Sequence, residues 1–188
     1  MCGRYWIDPE PREELMEIIA RIQRTEGQGA AKVAGEVFPG DRVPVLCRSR
    51  AGNLRPFAMD WGYTLPDGKK LINARSETAA EKPLFRESVR LRRCLLPMSA
   101  YFEWEKRADG KRKYRIAPAE EGLFYLAGLY RFEGARPVCT VLTRAAAPEI
   151  EFIHGRMPVL LSAAAREDWI FEGRADFSRS PHLEYHPA

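Results

Sequence analysis

The strongest constraint on the fold is that apolar and aromatic segments of strand length follow one another through tight turns, rather than alternating with helix-length segments. Residues 43–48 and 54–61 read as two strands joined through Ser49-Arg50-Ala51-Gly52-Asn53, with Pro44 confining the first to an edge or to its opening residues. Residues 94–104 read as one buried strand, which Asp109-Gly110 turns back through 111–116 in a two-residue hairpin. Further strands are expected at 124–132, 138–143 and 157–161. Hairpin order of this kind predicts a single α+β domain. Its centre is a bent, mainly antiparallel sheet or open β-barrel with a few flanking helices.

The helices are expected at the margins. Asp8-Pro9 reads as an N-cap and first-turn proline, and Leu15, Ile18, Ile19 and Ile22 recur at helical spacing, so residues 9–24 are predicted as an amphipathic helix. Residues 25–35 read as a loop. The stretch 71–78 begins apolar and ends polar, a short strand running into a helix from Ser76 or Thr78. Residues 145–153 suit a short helix, and Ser162 caps a last one to 171, stopped near Gly173. The domain is thus expected over 1–173, with 174–188 as a C-terminal tail.

A chain of 188 residues with 45% apolar content can bury a substantial core as one domain. It has no apolar run near the ~20 residues that span a bilayer and no secretory signal pattern, which points to a cytoplasmic, monomeric protein without membrane contact. Cys2, Cys47, Cys94 and Cys139 lie far apart without CxxC spacing, and there are only three histidines. Neither a metal site, a cofactor nor a disulfide framework is expected. The net charge of +4 permits an anionic partner. Basic residues concentrate at 86–93 and 106–115, each either a phosphate-tracking surface or a solvated face.

Cys2 follows the initiator directly, and a small second side chain lets methionine aminopeptidase remove Met1. Cys2 would then carry both a thiol and a free α-amine, with ordinary pKa values near ~8.5 and ~8. The amine can act as base for the thiol, as in N-terminal nucleophile hydrolases. Alternatively it condenses with an aldehyde, and the thiol closes a thiazolidine. As a bare position, Cys2 also suits a small buried apolar residue.

Four polar side chains interrupt apolar surroundings: Asn73 after Leu71-Ile72, Arg75 two residues on, Glu103 between Phe102 and Trp104, and His154 after Phe152-Ile153. A carboxylate between aromatics is partly desolvated, which raises its pKa toward the range useful for proton transfer. A histidine closing an apolar segment can exchange protons near neutrality. Singly, each also has a structural explanation in strand alternation, core packing or a turn.

Together with Met1-Cys2-Gly3-Arg4-Tyr5, the motifs Trp61-Gly62-Tyr63, Asn73-Ala74-Arg75-Ser76-Glu77-Thr78, Phe102-Glu103-Trp104 and Ile153-His154-Gly155-Arg156-Met157-Pro158 resemble, in order and spacing, the SRAP family. These are the SOS response-associated peptidase-like proteins that sense abasic sites in single-stranded DNA. The resemblance implies that mature Cys2 captures the ring-opened abasic sugar as a thiazolidine, giving a covalent DNA-protein cross-link in the DNA damage response. It implies catalytic roles for Cys2, Asn73, Glu103 and His154. Arg4, Arg75 and Arg156 are implied at phosphates beside the lesion, Thr143 at the backbone and Trp61 at the DNA. The family name implies a peptidase, that is hydrolase, activity, most simply removal of Met1. A Schiff base that fails to close implies some lyase activity, and the replication machinery is a further implied partner.

Two departures from that pattern stand out. Residues 64–70 lack the tryptophans with which many relatives stack bases, and Glu36-Val37-Phe38-Pro39 replaces a common Asn-Val-Ala-Pro. Trp61, Phe38 and Trp104 are candidate substitutes, with core packing as their other role. Two rival functions remain open from the residues. One is an N-terminal nucleophile amidohydrolase of the glutamine amidotransferase type, and the other a non-covalent single-strand-binding module built on the basic hairpin.

Overall fold

The computed structural model describes residues 2–10, 12–173, 177 and 181–188. Met1, Pro11 within the expected first helix, and 174–176 and 178–180 within the expected tail lie outside the described residues. The first half of the chain contains β1 (Arg4–Ile7), α1 (Glu13–Glu26), β2 (Gly35–Val37), β3 (Arg42–Arg48), β4 (Leu54–Trp61), β5 (Tyr63–Thr64), β6 (Lys70–Leu71) and β7 (Asn73–Arg75). The second half contains α2 (Pro83–Leu91), β8 (Arg93–Met98), β9 (Ala100–Arg107), β10 (Gly110–Pro118), β11 (Phe124–Glu133), β12 (Arg136–Ala145), β13 (Arg156–Pro158), β14 (Leu160–Leu161) and β15 (Leu183–Pro187).

Strands β12, β4, β3, β8 and β11 pair in that order, and β11 pairs back onto β12, closing a barrel. Its strands are apolar on both faces: neighbours such as Val45 and Leu46, or Leu95 and Leu96, are all buried, one of each pair toward the barrel interior and the other beneath the surrounding elements. A second, antiparallel sheet runs β15-β10-β9-β1-β2 and packs beside it. The only parallel pairings among the described residues are those of β12 with β4 and β7. This is the α+β barrel and antiparallel sheet expected of hairpin-ordered strands, with the barrel closed rather than open.

The two layers meet at Ser99, where the expected single strand 94–104 divides into β8 of the barrel and β9 of the sheet. Ser99 N–H donates to Trp6 O at 2.8 Å, and its hydroxyl bonds Asp8 N–H at 3.0 Å and Asp8 O at 3.3 Å. Those bonds replace the ladder that an unbroken strand would need. Likewise the expected strand 157–161 splits between two neighbours, β12 for β13 and β11 for β14. Pro44 lies at the opening of β3, before its pairing with β8 begins at Leu46, where a missing donor is tolerated.

Helix α1 buries Leu15, Ile18, Ile19 and Ile22 as the spacing predicts, each contributing about 1.5–3 kcal/mol. It begins later than expected. Arg12, not Asp8, is the N-cap, because Arg12 N–H closes a turn onto Pro9 O at 2.7 Å and Asp8 is held by Ser99. The second helix also starts later than Ser76 or Thr78: the chain turns through 76–82, and α2 opens with Pro83 at a first-turn position. In place of a regular helix over 162–171 there is a wide turn, π-helical at Asp168–Glu172 and ended by Gly173 at φ 69°. The expected tail contributes β15, which pairs with β10 from Tyr114↔Pro187 to Pro118↔Leu183. Its anchor, Leu183, is 2% exposed. Residues 145–153 contain one 3-10 turn, Pro148–Ile150. No helix among the described residues is long and apolar enough to cross a membrane.

Candidate active site around Cys2

Cys2 and Gly3 lead directly into β1, which is flanked by β2 and β9. Register places Arg4 opposite Phe102 and Tyr5 opposite Tyr101. Strand alternation then turns Tyr5, Tyr101 and Glu103 inward, and Arg4, Phe102 and Trp104 outward. Inside, Cys2 is 0%, Tyr101 0% and Glu103 4% exposed. Burial pushes the Cys2 thiol far above its ordinary range, and the Glu103 carboxylate adds to the effect. The same two causes, burial first and then the charges of Cys2 and Glu103, push up the Tyr101 hydroxyl. Cys2, Tyr101 and Glu103 therefore share one low-dielectric space. The thiol's hydrogen-bond acceptor is Arg4 O at 3.8 Å.

Asn73 reaches this space from the barrel. β7 pairs with β12 in register Asn73↔Val141 and Thr143↔Arg75, which carries Asn73 to the sheet junction, 8% exposed. Its Nδ2 donates to Cys2 O at 2.9 Å. Its Oδ1 is buried and accepts no hydrogen bond among the described residues. A carboxamide that holds the Cys2 carbonyl while keeping an acceptor in reserve suits an amine that donates from the same residue.

His154 follows the 3-10 turn, half-buried, with Arg156 N–H donating to its Nδ1 at 3.0 Å and Arg156 O 3.1 Å from the same nitrogen. Its ring is thereby fixed by the backbone that begins β13. Among the other expected residues, Arg75 is exposed on β7, and its guanidinium has no ion pair among the described residues. Arg156 is occupied instead: it makes a fork-to-fork pair with Glu77, 2.6 and 2.9 Å, and its Nη2 also donates to Thr143 O at 2.7 Å. This pairing holds the Glu77 carboxyl down at about 2. Thr143 is fully buried, and its carbonyl already accepts from Ser76 N–H and Arg156.

Trp61 requires a correction. It is 0% exposed, its Nε1–H donates to Ile72 O at 3.1 Å, and its ring meets Tyr5 edge-on at 5.3 Å. With every face covered it serves the core and cannot stack a base. Trp104 and Phe38 do reach the outer face, where the Arg4 guanidinium lies 5.1 and 4.7 Å from their rings. Lys113 stands 3.9 Å over Phe102, and Glu36 joins Lys113 at 2.9 Å to Arg4 at 3.4 Å. Burial opposes ionisation of Glu36, but these two cations outweigh it and hold its carboxyl below the ordinary range. Of the basic residues at 106–115, Lys113 is thus bound into this face. In the 86–93 run, Arg92 pairs with Glu87, and Arg93 donates to Val89, Arg90 and Ile170 carbonyls. Arg92 and Arg93 thus serve the fold, whereas Arg86 and Arg90 are exposed.

Sequence reasoning did not single out Tyr101, Glu36 or Lys113. The signal for Tyr101 is its spacing of two from Glu103 along a strand, which puts both on one face. Glu36 and Lys113 could be linked only by knowing that β2 and β10 flank the β1–β9 pair. A cavity of about 720 Å³ lies elsewhere, lined by residues such as Arg21, Cys47, Arg55, Phe57 and Tyr130. It contains none of the cysteine, amide, carboxylate and imidazole described above.

A closed barrel joined to an antiparallel sheet, with Cys2 placed against a buried carboxylate and carboxamide, defines an α+β domain organised around its first strand. The family model for SOS response associated peptidase (SRAP) matches residues 1–186, and the chain belongs to that family. It is 33% identical over 183 residues to the abasic site processing protein YobE of Bacillus subtilis, covering 90% of this chain and 82% of that one. It is 30% identical over 178 residues to the abasic site processing protein YedK of Escherichia coli, covering 90% and 79%. A Bacteroides thetaiotaomicron protein of known crystal structure shares the fold with TM-score 0.79 at 20% identity, over 99% of this chain and 91% of that one.

Proposed function

We propose that this protein processes abasic sites in single-stranded DNA by forming a covalent cross-link through Cys2 once Met1 is removed. The observation that carries the reading is the hydrogen bond from Asn73 Nδ2 to Cys2 O, 2.9 Å, which holds the cysteine beside Glu103. Names of relatives that process abasic sites support it. The freed amine attacks C1′ of the open-chain sugar. A carbinolamine forms, loses water and leaves an imine. The thiol then adds across C=N: an S–C bond forms and the thiol proton passes to nitrogen, so the thiazolidine is reached with water as the only leaving group. Glu103 takes the proton the amine sheds and delivers it to the departing oxygen. His154 exchanges protons at the sugar, and Asn73 keeps the attacking residue in place. If the thiol does not close, β-elimination from the imine gives lyase activity.

Arg75 is the guanidinium available to a phosphate beside the lesion, with Arg4 and its aromatic neighbours on the outer face. Arg156 joins them by exchanging Glu77 for phosphate. The amidohydrolase alternative needs a thiol activated for attack, whereas burial and Glu103 push this thiol the opposite way. The test is intact mass and denaturing electrophoresis of the trimmed protein after exposure to an abasic oligonucleotide. A heat-stable adduct whose mass is protein plus DNA less one water is expected, and Cys2→Ala abolishes it. Equal adduct from Cys2→Ala removes Cys2 from the mechanism, and ammonia release from glutamine without adduct selects the amidohydrolase.

A further inference from the structure

Tyr114, Phe152 and Tyr185 form an aromatic triangle, rooted in the core by Tyr114, whose exposed members the mechanism does not use. Phe152 meets Tyr114 at 5.9 Å and Tyr185 at 5.2 Å, while Tyr114 and Tyr185 are 6.0 Å apart, all edge-to-face. Tyr114 is the buried base of the triangle at 6% exposure, yet Phe152 is 51% and Tyr185 38% exposed. A half-exposed phenylalanine and an exposed tyrosine face set together on a rigid support resemble a contact surface more than packing.

Its position ties the triangle to Cys2. Tyr114 is the direct cross-strand partner of Glu103. Phe152 lies two residues before His154, in the arch whose Glu149 acts electrostatically on Tyr101. Charge around the triangle sorts its partners. Tyr114 hydroxyl donates to Glu105 at 3.1 Å, and Glu151 and Glu184 are exposed next to Phe152 and Tyr185. Carboxylates at those points repel phosphate but not an uncharged base. Cations stand at the hairpin beside Tyr114: Arg107 pairs with Glu105 at 3.4 Å, the Arg112 guanidinium lies 5.5 Å over the Tyr114 ring, and Arg112 and Lys111 have no ion pair among the described residues. That is a backbone track beside a stacking surface.

We propose that Phe152 and Tyr185 form a stacking platform for a nucleobase adjoining the abasic nucleotide, a role that rests on the cross-linking reading above. A base next to a lesion has lost its stacking neighbour on that side, so one face is free to be taken by an aromatic side chain. Stacking of this kind tolerates any base, and the platform therefore positions the lesion without restricting sequence. It also answers how a chain without tryptophans in residues 64–70 grips the strand.

The test measures binding of trimmed protein to single strands carrying tetrahydrofuran, which has no aldehyde and cannot cross-link. The bases on the two sides of it are kept, or replaced in turn by a second tetrahydrofuran. Phe152→Leu keeps apolar contact with Tyr114 and Tyr185 but removes the π face; Phe152→Trp keeps it. Phe152→Leu is expected to weaken binding about 10-fold and to slow adduct formation on genuine abasic DNA at subsaturating protein by a similar factor. Phe152→Trp restores both, and the loss disappears when the adjoining base on one side is missing. Wild-type affinity in Phe152→Leu, or a loss that persists with both adjoining bases removed, overturns the platform while wild-type adduct formation leaves the cross-linking reading intact. No binding and no adduct from the wild-type protein overturns both.

Discussion

Replacing Asn73 by alanine separates anchoring of the chain from positioning of the cysteine. The wild-type bond, 2.9 Å from Nδ2 to Cys2 O, is made by a side chain only 8% exposed. Truncation leaves a buried carbonyl without its side-chain donor, which costs about 1–3 kcal/mol. In a chain of this size that lowers Tm by about 2–4 °C for each kcal/mol. If the bond also holds Cys2 while its amine attacks, the same range appears in the barrier, slowing capture by about 5- to 150-fold. Asn73→Asp is the sharper variant, since at neutral pH it sets a carboxylate against the carbonyl and loses more than alanine does. The assay is single-turnover adduct formation with abasic oligonucleotide in saturating excess, with thermal unfolding in parallel. A lower Tm combined with an unchanged saturated rate would refute the positioning role and leave Asn73 as an anchor for β7. No change in either would mean that the bond carries no net free energy.

Other outcomes follow from the same geometry. Arg156 holds the Glu77 carboxyl at about 2, below its unfolded value, so this pair stabilises the fold above the unfolded pKa and is lost as pH falls through about 2. Because Glu77 is 48% exposed, solvent screening reduces the contribution to about 1 kcal/mol. Arg156→Ala should therefore lose less stability than wild type between pH 5 and pH 2 in urea titrations, and parallel slopes would refute the assignment. Trp61→Phe removes the donor to Ile72 O and is expected to cost about 1–3 kcal/mol in stability with no change in affinity for single-stranded DNA. A weakened affinity at unchanged stability would return Trp61 to the interface. Gly128→Ala drives a methyl to 2.8 Å from Leu96 and 2.9 Å from the Cys94 sulfur, with Thr140 O at 3.0 Å. It should destabilise by about 1–3 kcal/mol, and wild-type Tm would show that the barrel yields there.

The residues foretold the class of fold because hairpin turns and apolar alternation are local, as where β9 turns into β10, although the two turn residues are Ala108-Asp109, one earlier than the expected Asp109-Gly110, and Gly110 already pairs with Arg107. They also foretold which face of α1 is buried. What they could not carry was connectivity between layers. Ser99 looks like one more residue of a buried strand, and only its bonds to Trp6 and Asp8 show the chain leaving the barrel. β15 is not legible in the sequence, because Leu183 to Pro187 is short and mostly polar and becomes a strand only by adding to the β10 edge. For the site, motif order brought Cys2, Asn73 and Glu103 together correctly as a list, but gave no sense of burial. Trp61 sits next to Gly62-Tyr63 in sequence and looks as available as Trp104, yet one is sealed in the core and the other lies by Arg4.

The raised thiol pKa is consistent with aminothiol capture rather than opposed to it. A thiolate in the resting state would be open to oxidation and alkylation, while a buried neutral thiol is shielded from both. Ring closure consumes the S–H proton as well as the sulfur, because the imine nitrogen must gain a proton as the S–C bond forms. A thiol that keeps its proton until that moment delivers both in one place. The Glu103 carboxylate that disfavours a second negative charge on sulfur equally favours a positive charge on the nearby nitrogen. In the proposed reaction it would therefore stabilise the positive charge that develops on nitrogen as the thiol proton moves there and sulfur bonds to carbon. Glu103→Gln separates these effects: the neutral amide should make the free thiol react faster with maleimide while capturing abasic DNA more slowly. A variant that slows both, at unchanged Tm, would show that the carboxylate acts on the sulfur alone.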